Sequence, residues 1–233
     1  MPDRQLTLEG ILRPHLNQQL FSDHFLNDRL PRIAEWQALL PGAEPVRREL
    51  TLLYQNRKAV LSELGEMQLE EAFVRPILRA LDHTFSVQAP LATSQGTKRP
   101  DYILYVSQAA TDAHAGHTLD DTLLRQGGLA VVDAKAWGRS LDAPAPRGAG
   151  VDAFAASNPS AQISFYMQQS GLQWGVLTDG RYWRLYNRNT AHKLDRFYEV
   201  DLPAVLESGR PEDFLYFPPR SIRTGTGWPR NHP

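Results

Sequence analysis

Cysteine is missing from all 233 positions of the sequence. Its absence excludes disulfide bonds, thiolate metal sites and a cysteine nucleophile. No apolar run approaches the roughly 20 residues that a membrane-spanning helix needs, and the first residues lack the apolar core of a secretory signal peptide. We therefore expect a cytoplasmic protein that does not enter a membrane.

Lysine is scarce, with four residues against 21 arginines, and the formal net charge is -1. A near-neutral chain lacks the general basic character that attracts nucleic acid. Arginine is the better bidentate ligand for phosphate, but genomic base composition is the simpler explanation for its excess. Charge alone therefore identifies no partner.

The composition is that of a folded protein, with 42% hydrophobic residues in a chain long enough to bury most of its surface. The hydrophobic pattern predicts a helical extension over residues 1–60, an α/β domain over residues 61–205 and a weakly structured tail over residues 206–233. Within the extension, the Leu39-Leu40-Pro41-Gly42 stretch predicts the end of one helical segment, and a second segment is predicted to begin near Pro45.

The α/β domain is predicted from changes of periodicity along the chain. Phe73, Ile77 and Leu81 recur at helical spacing, so residues 65–82 form the clearest helix, with Pro76 as a candidate kink. Apolar and alternating runs predict strands over residues 83–91, 99–106, 128–137, 171–178, 182–188 and 193–201. Two more helices are predicted over residues 119–125 and 159–169, and a mobile loop over residues 138–157. This order of elements predicts an α/β sheet.

Two acids and a lysine stand at predicted strand ends. Asp133 and Lys135 follow the apolar run 129–132, and Asp101 begins the preceding strand. Side chains alternate along a strand, so Asp133 and Lys135 project to the same side, where buried charges are costly unless they serve a purpose. Two carboxylates from neighbouring strands suit Mg²⁺, and a lysine can position or deprotonate a water; these are the minimal parts for metal-assisted phosphodiester hydrolysis. The alternative is a buried Asp–Lys ion pair that closes a strand end.

Glu66 and Glu70 lie on nearly the same face of the predicted helix as Phe73. A carboxylate on a core-facing stripe needs a partner such as a metal, a lysine or a capped amide. The alternative is that both are first-turn acids, which the helix dipole favours.

Pro100-Asp101, followed after 31 residues by Asp133-Ala134-Lys135, resembles the PD-(D/E)xK nuclease motif. Glu66 and Glu70 resemble the acids of the first core helix of that family, one of which often joins the metal site.

Gln162 and Tyr166 resemble the Q-x3-Y element of RecB-like nucleases, in which the two residues lie beside the site and the DNA. Taken alone, these two residues are also explained by an ordinary amphipathic helix.

The resemblance is closer to one subgroup, the type IIG restriction–modification enzymes and related defence methylases. Residues 66–81, 133–137 and 174–186 resemble separated segments of those proteins in the same order. The resemblance implies a restriction-endonuclease-like mixed sheet flanked by helices, with an N-terminal helical extension. In that subgroup the nuclease is the N-terminal domain and a DNA adenine methyltransferase follows it.

The sequence departs from the family pattern in three respects. Asp133 stands where relatives often have Glu, so its carboxylate is one methylene shorter. The spacer between Asp101 and Asp133 holds an insertion. The Gly-rich loop and the Asn/Asp-Pro-Pro-aromatic motif of a methyltransferase are missing, since Asn158-Pro159-Ser160 lacks the second proline. The chain alone is therefore not expected to methylate DNA.

The resemblance implies a Mg²⁺-dependent DNA endonuclease of a restriction–modification or phage-defence system, with Mn²⁺ as a substitute metal and a 5′-phosphate product. Asp101 and Asp133 would bind the metal, and Lys135 would position or activate the attacking water. Glu66 or Glu70 would be a third ligand or orient that water.

Five more residues are candidate DNA contacts: Gln162, Tyr166, Lys98, Arg99 and Arg139. The expected partners are double-stranded DNA and a separate methyltransferase or specificity subunit, and cleavage of both strands would require two copies of the chain. Two alternatives remain from the sequence. One is a catalytically inactive module of the same fold that binds DNA or docks a partner in a defence complex. The other is a truncated remnant of a larger restriction–modification protein.

Overall fold

The computed structural model describes residues 15–144, 154 and 157–217. Its strands are β1 (His15–Gln18), β2 (Thr84–Val87), β3 (Leu91–Thr93), β4 (Gly96–Lys98), β5 (Tyr102–Tyr105), β6 (Gly128–Ala134), β7 (Trp174–Thr178), β8 (Tyr182–Asn187) and β9 (Phe197–Asp201). Its α-helices are α1 (Ala34–Gln37), α2 (Leu40–Arg57), α3 (Glu66–Leu69), α4 (Arg75–Ala80), α5 (Gln108–His114), α6 (Asp121–Leu124), α7 (Pro159–Ser170), α8 (Leu202–Glu207) and α9 (Pro211–Leu215).

Seven strands form one mixed sheet in the order β1-β9-β8-β7-β6-β5-β2, and β3 and β4 form a separate hairpin. Strands β6 and β7 are parallel, and the other neighbours in the large sheet are antiparallel. A parallel pair needs a crossover connection, and the segment between β6 and β7 contains α7. The carboxyl ends of β6 and β7 therefore lie side by side at the same end of the sheet.

The central strands are buried on both sides, as their continuous apolar runs predict. We call the two sides of the sheet the α2 face and the α7 face, after the longest helix on each. The α2-face core contains Leu50, Leu69, Phe73, Tyr102, Val132 and Val176. The α7-face core contains Ile103, Val131, Ile163, Met167 and Leu177. The alternation along β5, β6 and β7 thus separates two cores.

The predicted N-terminal helical extension contains a strand that the sequence analysis missed. Strand β1 pairs with β9 and forms one edge of the large sheet. One helical segment ends just before the predicted stop, because α1 ends at Gln37, but the second begins earlier than predicted: α2 starts at Leu40 and holds Pro41 in its first turn. A proline is tolerated there because the first amides of a helix have no partner within the helix.

The helix predicted over residues 65–82 is confirmed, with one irregularity. Its two α-helical parts, α3 and α4, are joined by a π-helical turn over Glu70–Val74. Pro76 lies in the first turn of α4, directly after this π turn. The missing amide of Pro76 is accommodated by the wider turn before it, because proline cannot supply the hydrogen bond that a regular helix interior requires.

The predicted weakly structured tail is wrong for its first part. Helices α8 and α9 continue the fold beyond residue 205, and Phe214 and Phe217 are fully buried in the α2-face core. The rest of that tail, residues 218–233, lies outside the described residues, as do residues 1–14 and residues 145–153, 155 and 156 of the predicted mobile loop.

Within the described part of the chain, no helix combines the length and apolarity that a membrane crossing requires.

Candidate active site

The two acids of the predicted motif lie next to each other at the ends of neighbouring strands. Tyr102 faces Val132 across the antiparallel β5–β6 pair. One further step in this register places Asp101 opposite Asp133, and facing residues of an antiparallel pair project to the same side. The Asp101 carboxylate accepts a hydrogen bond of 2.7 Å from the backbone N–H of Ala134. The fold therefore brings Asp101 and Asp133 together on one side of the sheet.

Asp133 belongs to the α7 face of the sheet. Its strand neighbour Val131 and its partner across the parallel pair, Leu177, both lie in the α7-face core. Because side chains alternate along a strand, Asp133 projects to the same face as these two residues. Asp133 is only 3% exposed, so it is a buried acid at the end of an apolar strand.

Lys135 supplies the charge that compensates Asp133. Its Nζ lies 2.6 Å from Asp133 Oδ2, and both side chains are less than a tenth exposed. The backbone N–H of Lys135 donates to Thr178 O at 2.7 Å, which extends the β6–β7 pairing past the last residue of β6. The ammonium and the carboxylate therefore form a close, buried ion pair.

Glu70 reaches the same end of the sheet from the other side. It is 3% exposed, and its carboxylate accepts a hydrogen bond of 2.6 Å from the Tyr102 hydroxyl. Arg75 Nε donates to that hydroxyl oxygen at 3.3 Å. Tyr102 lies in the α2-face core, so the tyrosine connects the helix that carries Glu70 to the strand that follows Asp101. Glu66 is only partly buried, at the start of α3.

The pKa values of Asp101 and Glu70 are raised, partly because acidic side chains lie close to one another. Burial raises the pKa of Asp101 well above its usual value, and the charges of Asp133 and Glu70 raise it further. Burial also raises the pKa of Glu70, with added contributions from Glu66 and Asp133. These shifts show that the acids are within electrostatic range of one another and that a further cation would be favourable there.

The same surroundings that disfavour the charged forms of Asp101 and Glu70 favour the charged form of Lys135. Burial alone would lower the pKa of Lys135, but the charges of Asp133, Asp101 and Glu66 outweigh it and raise the pKa. The lysine therefore stays a cation at neutral pH, because a neighbouring negative charge favours the charged form.

The donor chemistry of this cluster suits Mg²⁺, which prefers one or two carboxylates together with water and phosphate oxygens. Asp101 and Asp133 are the pair that could hold it, with Glu70 as a third carboxylate. In the described ranges, the side chains do not form a ready group of three or more acid or histidine ligands. Asp133 Oδ2 already pairs with Lys135 Nζ at 2.6 Å, so a metal bound there would share this oxygen with the lysine.

The two predicted residues of α7 lie on the α7 face and are buried. The side-chain amide of Gln162 donates to the backbone carbonyls of Phe154 and Ser157, at 2.7 and 3.3 Å. Tyr166 packs its ring against Phe154, with the ring centroids 5.5 Å apart. These contacts order the start of α7, and the role of both residues towards DNA stays a prediction.

The three predicted basic residues occupy two places. Lys98 and Arg99 end the β3–β4 hairpin just before Asp101: Lys98 Nζ lies 4.8 Å from the ring centroid of Phe154, and Arg99 donates to Gln88 O at 2.8 Å. Arg139 follows β6, and its Nη2 is buried without a hydrogen-bond partner in the described residues. Their contacts with phosphate stay predictions.

Two features of this region were missed by sequence reasoning. Tyr102 holds Glu70, and the signal for it was a hydroxyl-bearing aromatic residue directly after Asp101. Arg184 lies in β8 with both neighbours buried and apolar, and its ion pairs with Asp142 and Glu199 place a second charged group on the α7 face. The available signal was a single arginine inside an otherwise apolar strand.

The cluster thus combines two facing carboxylates, a third carboxylate from the opposite side of the sheet and a buried lysine. Its chemistry has to be inferred from these residues and their contacts. No protein-family model, curated protein or solved structure matches this chain.

Proposed function

We propose that this chain is a Mg²⁺-dependent DNA endonuclease that hydrolyses phosphodiester bonds in a restriction–modification or phage-defence system. The observation that carries the proposal is the buried cluster at the carboxyl end of β6, where Asp101 faces Asp133 and Lys135 Nζ lies 2.6 Å from the Asp133 carboxylate. Buried charges at a strand end are costly to maintain, and carboxylate oxygens with a nearby cation are the parts that metal-assisted hydrolysis of a phosphodiester uses.

The fold is consistent with this proposal. A helix (α3 to α4) is followed by the antiparallel strands β2, β5 and β6, then by α7 and the parallel strand β7. A mixed sheet flanked by helices is the architecture that the resemblance to restriction-endonuclease-like nucleases implies. Fold alone does not imply function, so the argument depends on the residues at the strand ends.

Asp101 and Asp133 would hold the metal, with Glu70 rather than Glu66 as the third acid because Glu70 is buried and fixed by Tyr102. When bound, Mg²⁺ would polarise the phosphate and favour ionisation of a water. The charges of Asp133 and Asp101 favour the ammonium form of Lys135, and Lys135 would position or activate the attacking water and stabilise negative charge on the phosphate.

The substrate in this proposal is double-stranded DNA, and the product carries a 5′-phosphate. Lys98, Arg99, Arg139, Gln162 and Tyr166 are the proposed DNA contacts. One site cuts one strand, so double-strand cleavage requires two copies of the chain, and sequence recognition would be supplied by a separate specificity subunit or methyltransferase.

The test is cleavage of plasmid and phage DNA by the purified protein in Mg²⁺ or Mn²⁺. Lys135→Ala is expected to reduce the cleavage rate by about 10²-fold or more, because it removes a charge that acts in the transition state. Lys193→Ala is the matched control, since Lys193 is exposed and far along the chain from the cluster. Cleavage that survives Lys135→Ala unchanged would contradict the assignment.

A second candidate function is a non-catalytic DNA-binding or partner-docking module of the same fold. The observation that favours it is the closed Asp133–Lys135 ion pair, which satisfies both charges without a metal. Under this proposal the protein binds DNA but does not cut it with any divalent metal, and Lys135→Ala lowers stability without changing DNA affinity.

A further inference from the structure

Arg184 lies in the same row of the sheet as the candidate site. It faces Leu177 across the β7–β8 pair, and Leu177 in turn pairs with Asp133. Residues opposite one another project to the same side of a sheet, and neighbouring strands are roughly 4.8 Å apart. Arg184 is therefore a buried cation on the α7 face, two strands away from Asp133.

The guanidinium of Arg184 binds two acids. Nη1 and Nη2 donate to the two carboxylate oxygens of Asp142 at 2.5 and 2.9 Å, and Nε donates to Glu199 at 2.5 Å. Its carbon Cζ lies 4.1 Å from the ring centroid of Phe197. Burial would lower the pKa of Arg184, but the hydrogen bonds to Asp142 and the charge of Glu199 raise it. Two-point contacts of this kind fix geometry as well as charge.

Asp142 ends a segment that crosses from one face of the sheet to the other, residues 137–142, which we call the strap. At its start, Trp137 packs against Phe73 on the α2 face, with ring centroids 5.9 Å apart. Near its end, Leu141 is 3% exposed in the α7-face core. The strap therefore passes over the end of the sheet where β6 finishes and where Asp133 and Lys135 lie.

The start of α7 fastens the same end of the strap. Ser160 Oγ donates to Leu141 O at 2.8 Å, and the side-chain amide of Asn158 donates to Asp142 O at 2.6 Å. Arg139 lies midway along the strap, and its buried Nη2 has no hydrogen-bond partner in the described ranges. The strap thus holds, between two anchored ends, a cation with free donor capacity four residues after Lys135.

We propose that Arg184 is a positioning residue for the candidate site. By binding both carboxylate oxygens of Asp142, it fixes the strap. The fixed strap holds Lys135 and Arg139 in position to contact the phosphate. The catalytic part of this inference rests on the proposed nuclease function. Arg184 itself does not touch substrate, and its effect passes through Asp142 and the strap.

A purely structural role for Arg184 would be to neutralise the buried Glu199. Asp142→Ala separates the two roles, because the Asp142 side chain is 62% exposed and its loss leaves the Arg184–Glu199 pair in place. Arg184→Lys keeps a charge beside Glu199 but cannot bind both oxygens of Asp142. Both variants should therefore release the strap while preserving the fold.

The first measurement is the rate at which trypsin cuts the full-length native protein after Arg139, read site by site by mass spectrometry. Asp142→Ala and Arg184→Lys are expected to raise this rate at least about tenfold, because proteolysis reports local opening. Asp121→Ala, which removes a half-exposed acid at the start of α6 that pairs with Arg125, is the matched control and should leave it unchanged. An unchanged rate in Asp142→Ala would overturn the proposal.

The second measurement is DNA cleavage by the same variants under single-turnover conditions. Asp142→Ala is expected to lower the cleavage rate about tenfold with little change in DNA affinity, because misplacing a group costs rate rather than binding. Faster proteolysis with a wild-type cleavage rate would overturn the positioning role. If the wild type cuts no DNA, the nuclease proposal fails by itself, and the proteolysis result still decides whether Arg184 fixes the strap.

Discussion

Asp179 is a buried acid in the turn between β7 and β8. Its Oδ1 accepts hydrogen bonds from the backbone N–H groups of Arg181 and Tyr182, at 3.0 and 2.6 Å. Burial raises the pKa of Asp179 from 3.8 to about 6, against the effect of these hydrogen bonds. The folded protein therefore binds a proton at this carboxyl more tightly than the unfolded chain does.

Replacement of this acid by an amide should stabilise the protein at neutral pH. Asp179→Asn keeps an oxygen that accepts both backbone hydrogen bonds and removes the buried charge. Because the folded-state pKa is raised, the wild type loses stability as pH rises from about 4 to about 6, and the variant avoids this loss. Above pH 6 we expect a gain of about 1–3 kcal/mol.

Urea denaturation of wild type and Asp179→Asn across pH 4 to 8 checks this prediction. The gain should grow between pH 4 and 6 and stay constant above. A difference that does not depend on pH would show that the buried charge is not the cause.

At the scale of elements, the contact between α7 and β7 depends on a glycine. A Cβ at Gly175 would lie 2.7 Å from Met167 Sδ and 2.9 Å from Ile163 Cγ1, both on α7. Helix α7 therefore approaches the strand more closely than any side chain allows. This close packing holds the crossover that makes β6 and β7 parallel.

Gly175→Ala should lower the free energy of unfolding by about 1–3 kcal/mol, because added volume in a packed core forces neighbours to move. Gly42→Ala is the matched control. Gly42 lies inside α2 with nothing within 4 Å of its added Cβ, so alanine there should raise stability by up to about 1 kcal/mol. Denaturant titrations of both variants give the two values, and equal effects would refute the close approach of α7.

The elements that can be predicted from the sequence are those whose residue pattern lies within the element or directly beside it. Strand β6 follows from its apolar run and α7 from its capping residue Asn158 and proline start. Strand β1 was missed because His15–Gln18 has one apolar residue and no alternation; it becomes a strand because β9 offers it an unpaired edge. Helix α9 was missed because five residues give too short a pattern, and burial of Phe214 against distant parts of the chain stabilises it.

At the scale of the whole molecule, the candidate site is assembled from separate parts of the chain. Glu70 comes from the π turn before α4, Asp101 from the start of β5, and Asp133 with Lys135 from the end of β6. Like charges that the fold holds close together raise the free energy of the folded state, and a bound divalent cation would lower that free energy.

Mg²⁺ or Mn²⁺ at millimolar concentration should therefore raise the melting temperature, by about 2–4 °C for each kcal/mol of binding free energy. Asp101→Asn should abolish the metal-dependent increase, whereas Asp121→Asn, which changes a half-exposed acid of α6, should retain it. Thermal denaturation with and without metal makes the comparison. An increase that survives in Asp101→Asn would place the metal elsewhere.

The sequence could predict the members of this cluster better than their contacts. Asp101, Asp133 and Lys135 were identifiable because charges follow apolar strands. The choice between Glu66 and Glu70 was open because both lie on one helical face; Glu70 is buried against Tyr102, and Glu66 acts on Lys135 through its charge. Arg184 was missed because its role depends on Asp142, which is remote in the chain and reaches it only through the path of the strap.

The pairing of β1 with β9 joins the first described strand to the last. A strand cannot pair before its partner exists, so this edge of the sheet stays open during synthesis until residues 197–201 have left the ribosome. Contacts so remote in sequence carry a large entropic cost of loop closure and form slowly. We therefore expect β1 to join the sheet after the strands around the candidate site, β5 to β8, have paired.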